Sequence, residues 1–126
     1  MKRGLFGCLL LIVLLSAGLT ELKATRQLLK PIVSHAELAS QTVLQGDFEK
    51  TAALTEKARA AWEKTRGRFS FLNEQEAVRE IDRLYDEAEV FLRSGEKIHC
   101  SAAFASLKNQ LQALLEDQQL SLPNLL

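Results

Sequence analysis

The side chains able to do chemistry in this chain are few, and their spacing works against most of it. His99 and Cys100 are adjacent in "KIHCSAAF". On a helix, neighbouring residues point about 100° apart, so the two cannot aim at one metal ion or act as base and nucleophile. The pattern instead fits a core thiol beside a surface imidazole, because unbridged cysteine usually behaves as a small buried hydrophobe. His35 has Glu37 nearby but no second ligand at helical spacing, and a zinc site needs three or four ligands. The acidic series Glu76, Glu80, Asp82, Asp86, Glu87 and Glu89 could supply a carboxylate pair or a cation site. It interleaves with Arg79, Arg83 and Arg93, and Glu89 to Arg93 has the favourable i, i+4 orientation, which describes a solvated helix face. No glycine-rich phosphate loop, nucleophile elbow or paired-cysteine motif occurs. The sequence therefore predicts no catalytic residue, no cofactor and no metal, and a protein that is not an enzyme.

Two other groups of residues are candidates for binding. Lys57, Arg59, Lys64, Arg66 and Arg68 form a basic run. Cations late in a helix interact favourably with its dipole and with an acidic helix across the turn, and Glu56 and Glu63 dilute the run. The functional alternative is contact with a partner, with anionic lipid headgroups or with wall polymers outside the cell. The tail "LSLPNLL" carries Leu120, Leu122, Leu125 and Leu126, where a terminus is usually polar and loose. Burial would be worth about 1.5 to 3 kcal/mol for each. The tail is expected to dock across the open end of its own fold, or else in a partner's groove. Trp62, Phe69 and Phe71 read as core-filling aromatics.

The elements that position these residues begin with "MKRGLFGCLLLIVLLSAGLTEL". From Gly4 to Thr20 there are 17 residues without a charge, roughly 25 Å as a helix, slightly under a bilayer's hydrocarbon thickness. Lys2 and Arg3 would stay in the cytoplasm, which places the C-terminal part outside the cell as a single-pass membrane protein. Ser16, Ala17 and Gly18 could serve a signal peptidase, giving a secreted soluble protein cut near Gly18. The following "LTELKATRQLL" continues a helical pattern with no extended segment to cut, which favours retention. Cys8 precedes most of the apolar run, so it is not placed as a lipid-modified cysteine.

The expected organisation is a membrane segment over residues 1–20 and one extracytoplasmic domain over residues 21–126, about the size of a modest single core. Setting Lys2 and Arg3 aside from the 16 basic side chains leaves 14 against 16 acidic ones. That balance argues against nucleic-acid binding, which needs a basic excess to displace counterions. Two cysteines, one of them inside the apolar run, leave no disulfide framework.

Beyond the apolar run the pattern is helical throughout. Leu22, Thr25, Leu29, Ile32, Ala36, Ala39 and Val43 line one face, with Pro31 expected to kink that helix or start a new one. Gly46 should end it and Asp47 should cap a second helix running to about Arg66, with Phe48, Leu54, Ala58, Ala61 and Trp62 inward. Asn73 and Glu76 suggest a capping box for a third helix, with Ala77, Ile81, Leu84, Ala88 and Phe91 inward. Gly95 breaks it, and a fourth carries Cys100, Phe104, Leu107, Leu111 and Leu114 until Pro123. The breaks "VLQGDFEKTAAL" and "FLRSGEKIHCSAAF" resemble each other and suggest a duplicated helix hairpin, with a period near 49 residues. The expected fold is all-α: an N-terminal transmembrane helix, then an antiparallel bundle of about four helices.

The cationic start with its apolar span, "GDFEKTAALTEKARAAWEK", "LNEQEAVREIDRLYDEAEVFL" and the ending "LEDQQLSLPNLL" together resemble an uncharacterised family. It is the domain of unknown function numbered forty-three sixty-three, of small membrane-anchored helical proteins from clostridia and related bacteria. The similarity covers nearly the whole chain. The resemblance implies an anchored, extracytoplasmic helical domain with no assigned activity. Residues and resemblance together lead to a scaffold or accessory protein that binds another envelope component.

Overall fold

The computed structural model describes the backbone at residues 2–69 and 72–125, and side chains at residues 4–17, 23–69 and 74–117. Among the described residues the chain forms four α-helices, α1 (Lys2–Leu44), α2 (Phe48–Thr65), α3 (Leu72–Ser94) and α4 (Lys97–Leu125), with one 3₁₀ turn, Arg66–Arg68, after α2. No strand occurs among the described residues.

α1 runs for 43 residues without a break, and Pro31 lies inside it. The expected interruption at Pro31 does not occur. Proline costs a helix interior about 3 kcal/mol, but Leu29, Ile32 and Val33 are all buried here, at about 1.5 to 3 kcal/mol each. Gln27 and Pro31 are exposed, so the carbonyl that loses its donor sits on the solvent side.

The α1–α2 and α3–α4 turns share the same two closing hydrogen bonds. Gly46 (φ 85°) and Gly95 (φ 73°) take the left-handed conformation. The amide of Gly46 donates to Val43 O and that of Asp47 to Thr42 O, while Gly95 donates to Leu92 O and Glu96 to Phe91 O. Each pair is a Schellman closure, for which glycine is the least strained residue. Asp47 then caps α2, its carboxylate accepting from the Lys50 amide.

The 49-residue period extends through the core. The buried positions of α2 are Thr51, Thr55, Ala58, Trp62 and Thr65. Their counterparts 49 residues on are Cys100, Phe104, Leu107, Leu111 and Leu114, all buried. Leu29, Ile32, Ala36 and Ala39 correspond likewise to Val78, Ile81, Tyr85 and Ala88. The fold is thus two helical hairpins, α1/α2 and α3/α4, packed as a bundle. α1 lies against both α2 and α4, and α3 lies against α4, but the backbones of α2 and α3 approach each other at few points.

Two boundaries differ from expectation. α3 starts at Leu72, so Asn73 lies in its first turn and not at the cap, and the Asn73 side chain falls outside the described ones. α4 continues through Pro123 to Leu125; a proline in the last turn removes one hydrogen bond, and the helix ends two residues later. The side chains of Leu120, Leu122 and Leu125, and all of Leu126, lie outside the described residues, as do Phe71 and the docking expected of the tail. The start of α1 projects beyond the bundle, and its large apolar residues from Leu5 to Leu15 are 52 to 72 % exposed. Among the described residues, no helix is long and apolar enough to cross a membrane.

Candidate functional site

The five cations of α2 and its 3₁₀ turn divide between two faces of the bundle. Arg59 and Arg66, seven residues apart, turn toward α3. Arg59 places Nη2 2.7 Å from Asp86 Oδ1 and Nη1 2.9 Å from a Glu89 carboxylate oxygen, with Nε 3.6 Å from Glu63. Its guanidinium lies 5.7 Å from the centre of the Tyr85 ring, a cation–π distance. Burial opposes the charge on Arg59, but the hydrogen bonds it donates to Asp86 and Glu89 outweigh it and raise its pKa. Arg66 pairs with Asp82 at 3.1 Å. The other oxygen of Asp82 accepts from the indole Nε1 of buried Trp62 at 2.8 Å, and Trp62 stacks on Phe69 with centroids 6.1 Å apart. Where α2 and α3 stand apart, long polar and aromatic side chains close the gap. A groove of about 460 Å³ remains outside them, edged by Glu56, Arg59, Glu89 and Arg93.

Lys57, Lys64 and Arg68, at spacings of seven and four, form a separate stripe on the opposite side of α2. They border a groove of about 540 Å³ shared with Leu28 of α1, and Leu28 is exposed. Lys57 and Lys64 are exposed. The basic run is therefore half structural, as a tie to the acidic helix, and half a surface feature.

The acidic series also divides. Glu80 and Glu87 both hold Arg83, at 2.6 and 2.7 Å; the hydrogen bond from Arg83 keeps the Glu80 carboxyl below the usual range. Glu89 does not face Arg93 with its carboxylate as the spacing suggested: the carboxylate goes to Arg59, and Arg93 Nε donates to the Glu89 backbone carbonyl at 3.4 Å. Asp82, Asp86 and Glu89 are ties across a seam, which a single-helix reading cannot detect. His99 is exposed, with its ring 5.3 Å from that of Phe91. Cys100 is fully buried, its thiol donates toward Ala88 O at 3.6 Å, and burial pushes its pKa up to about 11. Burial likewise raises the pKa of Tyr85. The Tyr85 hydroxyl, Arg26 Nε and His35 Nδ1 are buried atoms without a hydrogen-bond partner among the described residues. Among those residues, no group of three or more His, Cys, Asp and Glu is placed to hold a metal ion.

A buried threonine series escaped the sequence reading because threonine counts as polar. Thr51 donates to Asp47 O and meets the Thr42 hydroxyl at 2.7 Å, and Thr55 and Thr65 donate to carbonyls four residues back. Such back-bonding satisfies the hydroxyls inside an apolar core. The signal that could have found it is the 49-residue repeat, which sets Thr51, Thr55 and Thr65 against Cys100, Phe104 and Leu114.

These features define a class: a small all-helical bundle of two repeated hairpins, with a charged seam on one side and a basic stripe on the other. Within that class, the chain belongs to the family described as domain of unknown function (DUF4363), which it matches over residues 19–125. No curated protein and no solved structure matches it.

Proposed function

We propose that this protein is a helical domain held at a membrane by the start of α1, acting outside the cell as a scaffold or accessory that binds another envelope component. The observation carrying the reading is the exposed run from Leu5 to Leu15, apolar all round and uncovered by the protein's own bundle. A helix with that surface needs an apolar environment. Residues 4–17 alone amount to about 20 Å of helix at 1.5 Å per residue, so they account for insertion in the hydrocarbon, and the uncharged run to Thr20 extends it. α1 continues as helix through Gly18, which supports retention over cleavage there, since a peptidase needs an extended segment. A binding role, as opposed to a catalytic one, is supported by how the charged side chains are used: Arg59, Arg66, Asp82, Asp86 and Glu89 are engaged with one another across α2 and α3.

The test is extraction of native membranes with alkaline carbonate, followed by intact mass measurement. The chain is expected to stay in the pellet with its N-terminal residues in place. A soluble form beginning near Leu19 would overturn the anchored reading. Crosslinking from the same membranes then identifies the bound component.

A further inference from the structure

The basic stripe on the α1/α2 side stands at the membrane-proximal end of the bundle, and we propose that Lys64 and Arg68, with Lys57 behind them, bind anionic lipid headgroups. The proposal rests on the membrane-held reading and adds to it a contact, a lipid class and an orientation.

The register of α1 against α2 supplies the geometry. Thr42 and Thr51 touch at 2.7 Å and fix two antiparallel helices side by side. Seventeen residues back along α1 from Thr42 is Thr25, and seventeen forward from Thr51 is Arg68, so the two are level. The groove that Leu28 shares with Lys64 and Arg68 agrees with this register. The uncharged run ends at Thr20, about 8 Å of helix before the level of Arg68. The headgroup layer adds about 5 to 8 Å on each side of the hydrocarbon. Arg68 therefore meets that layer directly, and Lys64, one turn further up, reaches it by extending its side chain. Lys57 lies about 10 Å beyond Lys64 and contributes through the field, not by contact.

Charge and shape agree with the assignment. Lys23 and Lys30 of α1 are exposed at the same end. Of the acidic side chains at that end, Glu63 lies beside Lys64 on α2 but pairs with Arg59 at 3.6 Å, and Glu21 of α1 is outnumbered by Lys23, Arg26 and Lys30, whereas Glu74, Glu76, Glu116 and Asp117 belong to α3 and α4, on the other side of the bundle. An anionic surface therefore attracts the α1/α2 side and repels the α3/α4 side, which tilts the domain. Leu28, exposed between the cations, suits the mixed polar and apolar depth of a headgroup layer. The attraction of each cation to such a surface decays within a Debye length.

The experiment uses the full chain reconstituted into vesicles of phosphatidylcholine alone and of phosphatidylcholine mixed with phosphatidylglycerol. Lysines are acetylated briefly and quantified by mass spectrometry. In the anionic vesicles Lys64 should label several-fold more slowly than in the neutral ones, Lys57 less markedly so, and Lys97 at the far end not at all. High salt should abolish the difference. Lys64 labelling that ignores phosphatidylglycerol, in a chain that floats with both kinds of vesicle, overturns the headgroup contact and leaves the anchor standing. A chain that floats with neither overturns both. Protection of Lys64 in neutral vesicles by a soluble glycerol phosphate polymer would assign the stripe to a wall polymer and overturn the lipid.

Discussion

Along the α1/α4 seam, Ser40 and Ser101 meet through their hydroxyls at 3.4 Å, and Lys108 reaches Glu37 at 3.7 Å. Along the α2/α3 seam, 49 residues away in each case, Glu89 and Ala52 replace the serines, and Asp86 and Arg59 replace the glutamate and lysine. The ion pair has been kept at equivalent positions while everything around it has changed. Small side chains let α1 and α4 lie close, whereas Tyr85 stands where α1 carries Ala36, and Trp62 where α4 carries Leu111. Helix separation follows the side chains at the contact. The second seam is thus wider, and indole, guanidinium and carboxylate groups span it where backbones cannot meet. One hairpin pattern used twice yields a close contact between helices on one side and a wider, grooved one bridged by long side chains on the other.

The sharpest way to break this comparison is to remove its largest difference. Trp62→Ala should cost about 3 to 5 kcal/mol, and Leu111→Ala, at the matching position, about 2 to 5. The tryptophan change should be the larger, because the separated backbones of α2 and α3 leave the cavity unable to collapse, and because it deprives Asp82 of its indole donor. Chemical denaturation of the full chain in detergent measures both. Equal losses would mean that the α2/α3 seam relaxes as readily as the other and that its width is not imposed by packing.

How far the sequence carries can be judged from the same residues. The inward stripe of α4, Cys100 through Leu114, was legible because aliphatic and aromatic side chains at three and four spacing have one economical burial. The turns at Gly46 and Gly95 were legible from a single glycine and acid pattern. Pro31 misled because local propensity was weighed without the neighbouring burial that overrides it. The seam was illegible for another reason: Glu89 and Arg93 have ideal spacing for each other, but a partner on a different helix offers Glu89 a shorter charge-assisted bond. Only the 49-residue register, which aligns Lys108 and Glu37 with Arg59 and Asp86, relates the two seams from sequence. The division of the basic run into two faces likewise requires knowing which neighbour lies on each side of α2.

The comparison of hairpins sharpens further at Thr51 and Cys100. Both are fully buried at equivalent positions, but only the thiol can ionise. Its pKa rises from 9.0 to about 11 on burial, so the folded chain holds its proton when the unfolded chain has begun to lose it. Protons bound preferentially by the folded state make stability fall with rising pH. The contribution is intact below pH 9 and is lost as pH rises toward 11. Tyr85 acts in the same direction further up the scale. Unfolding midpoints measured below pH 9 and near pH 11 should therefore separate in the native chain and draw together in Cys100→Ala. A decline of the same size in that variant would assign the alkaline limb to other groups and leave the Cys100 site without the desolvation argued for it.

The smallest effect bears most directly on the repeated ion pair. Exposed pairs contribute about 0.2 to 1 kcal/mol, and the two here should fall at opposite ends of that range. Lys108 meets Glu37 at 3.7 Å with side chains 36 and 52 % exposed, a geometry in which water competes on every side. Arg59 is 24 % exposed and holds Asp86 and Glu89 at 2.7 and 2.9 Å while lying near the Tyr85 ring. Arg59→Gln should therefore cost up to about 1 kcal/mol, and Lys108→Gln no more than about 0.3. Arg59→Lys keeps the charge but loses the fork that engages two carboxylates and the plane that lies near the ring, so it should resemble Arg59→Gln more than the native chain. If charge alone matters, Arg59→Lys will be neutral, and the stabilisation will vanish in high salt as it does for any screened surface pair. If the wide seam is held by geometry, Arg59→Lys will be destabilised and part of the loss will persist in salt. That persistence is the result expected of a guanidinium that fills a gap its counterpart on α4 never has to fill.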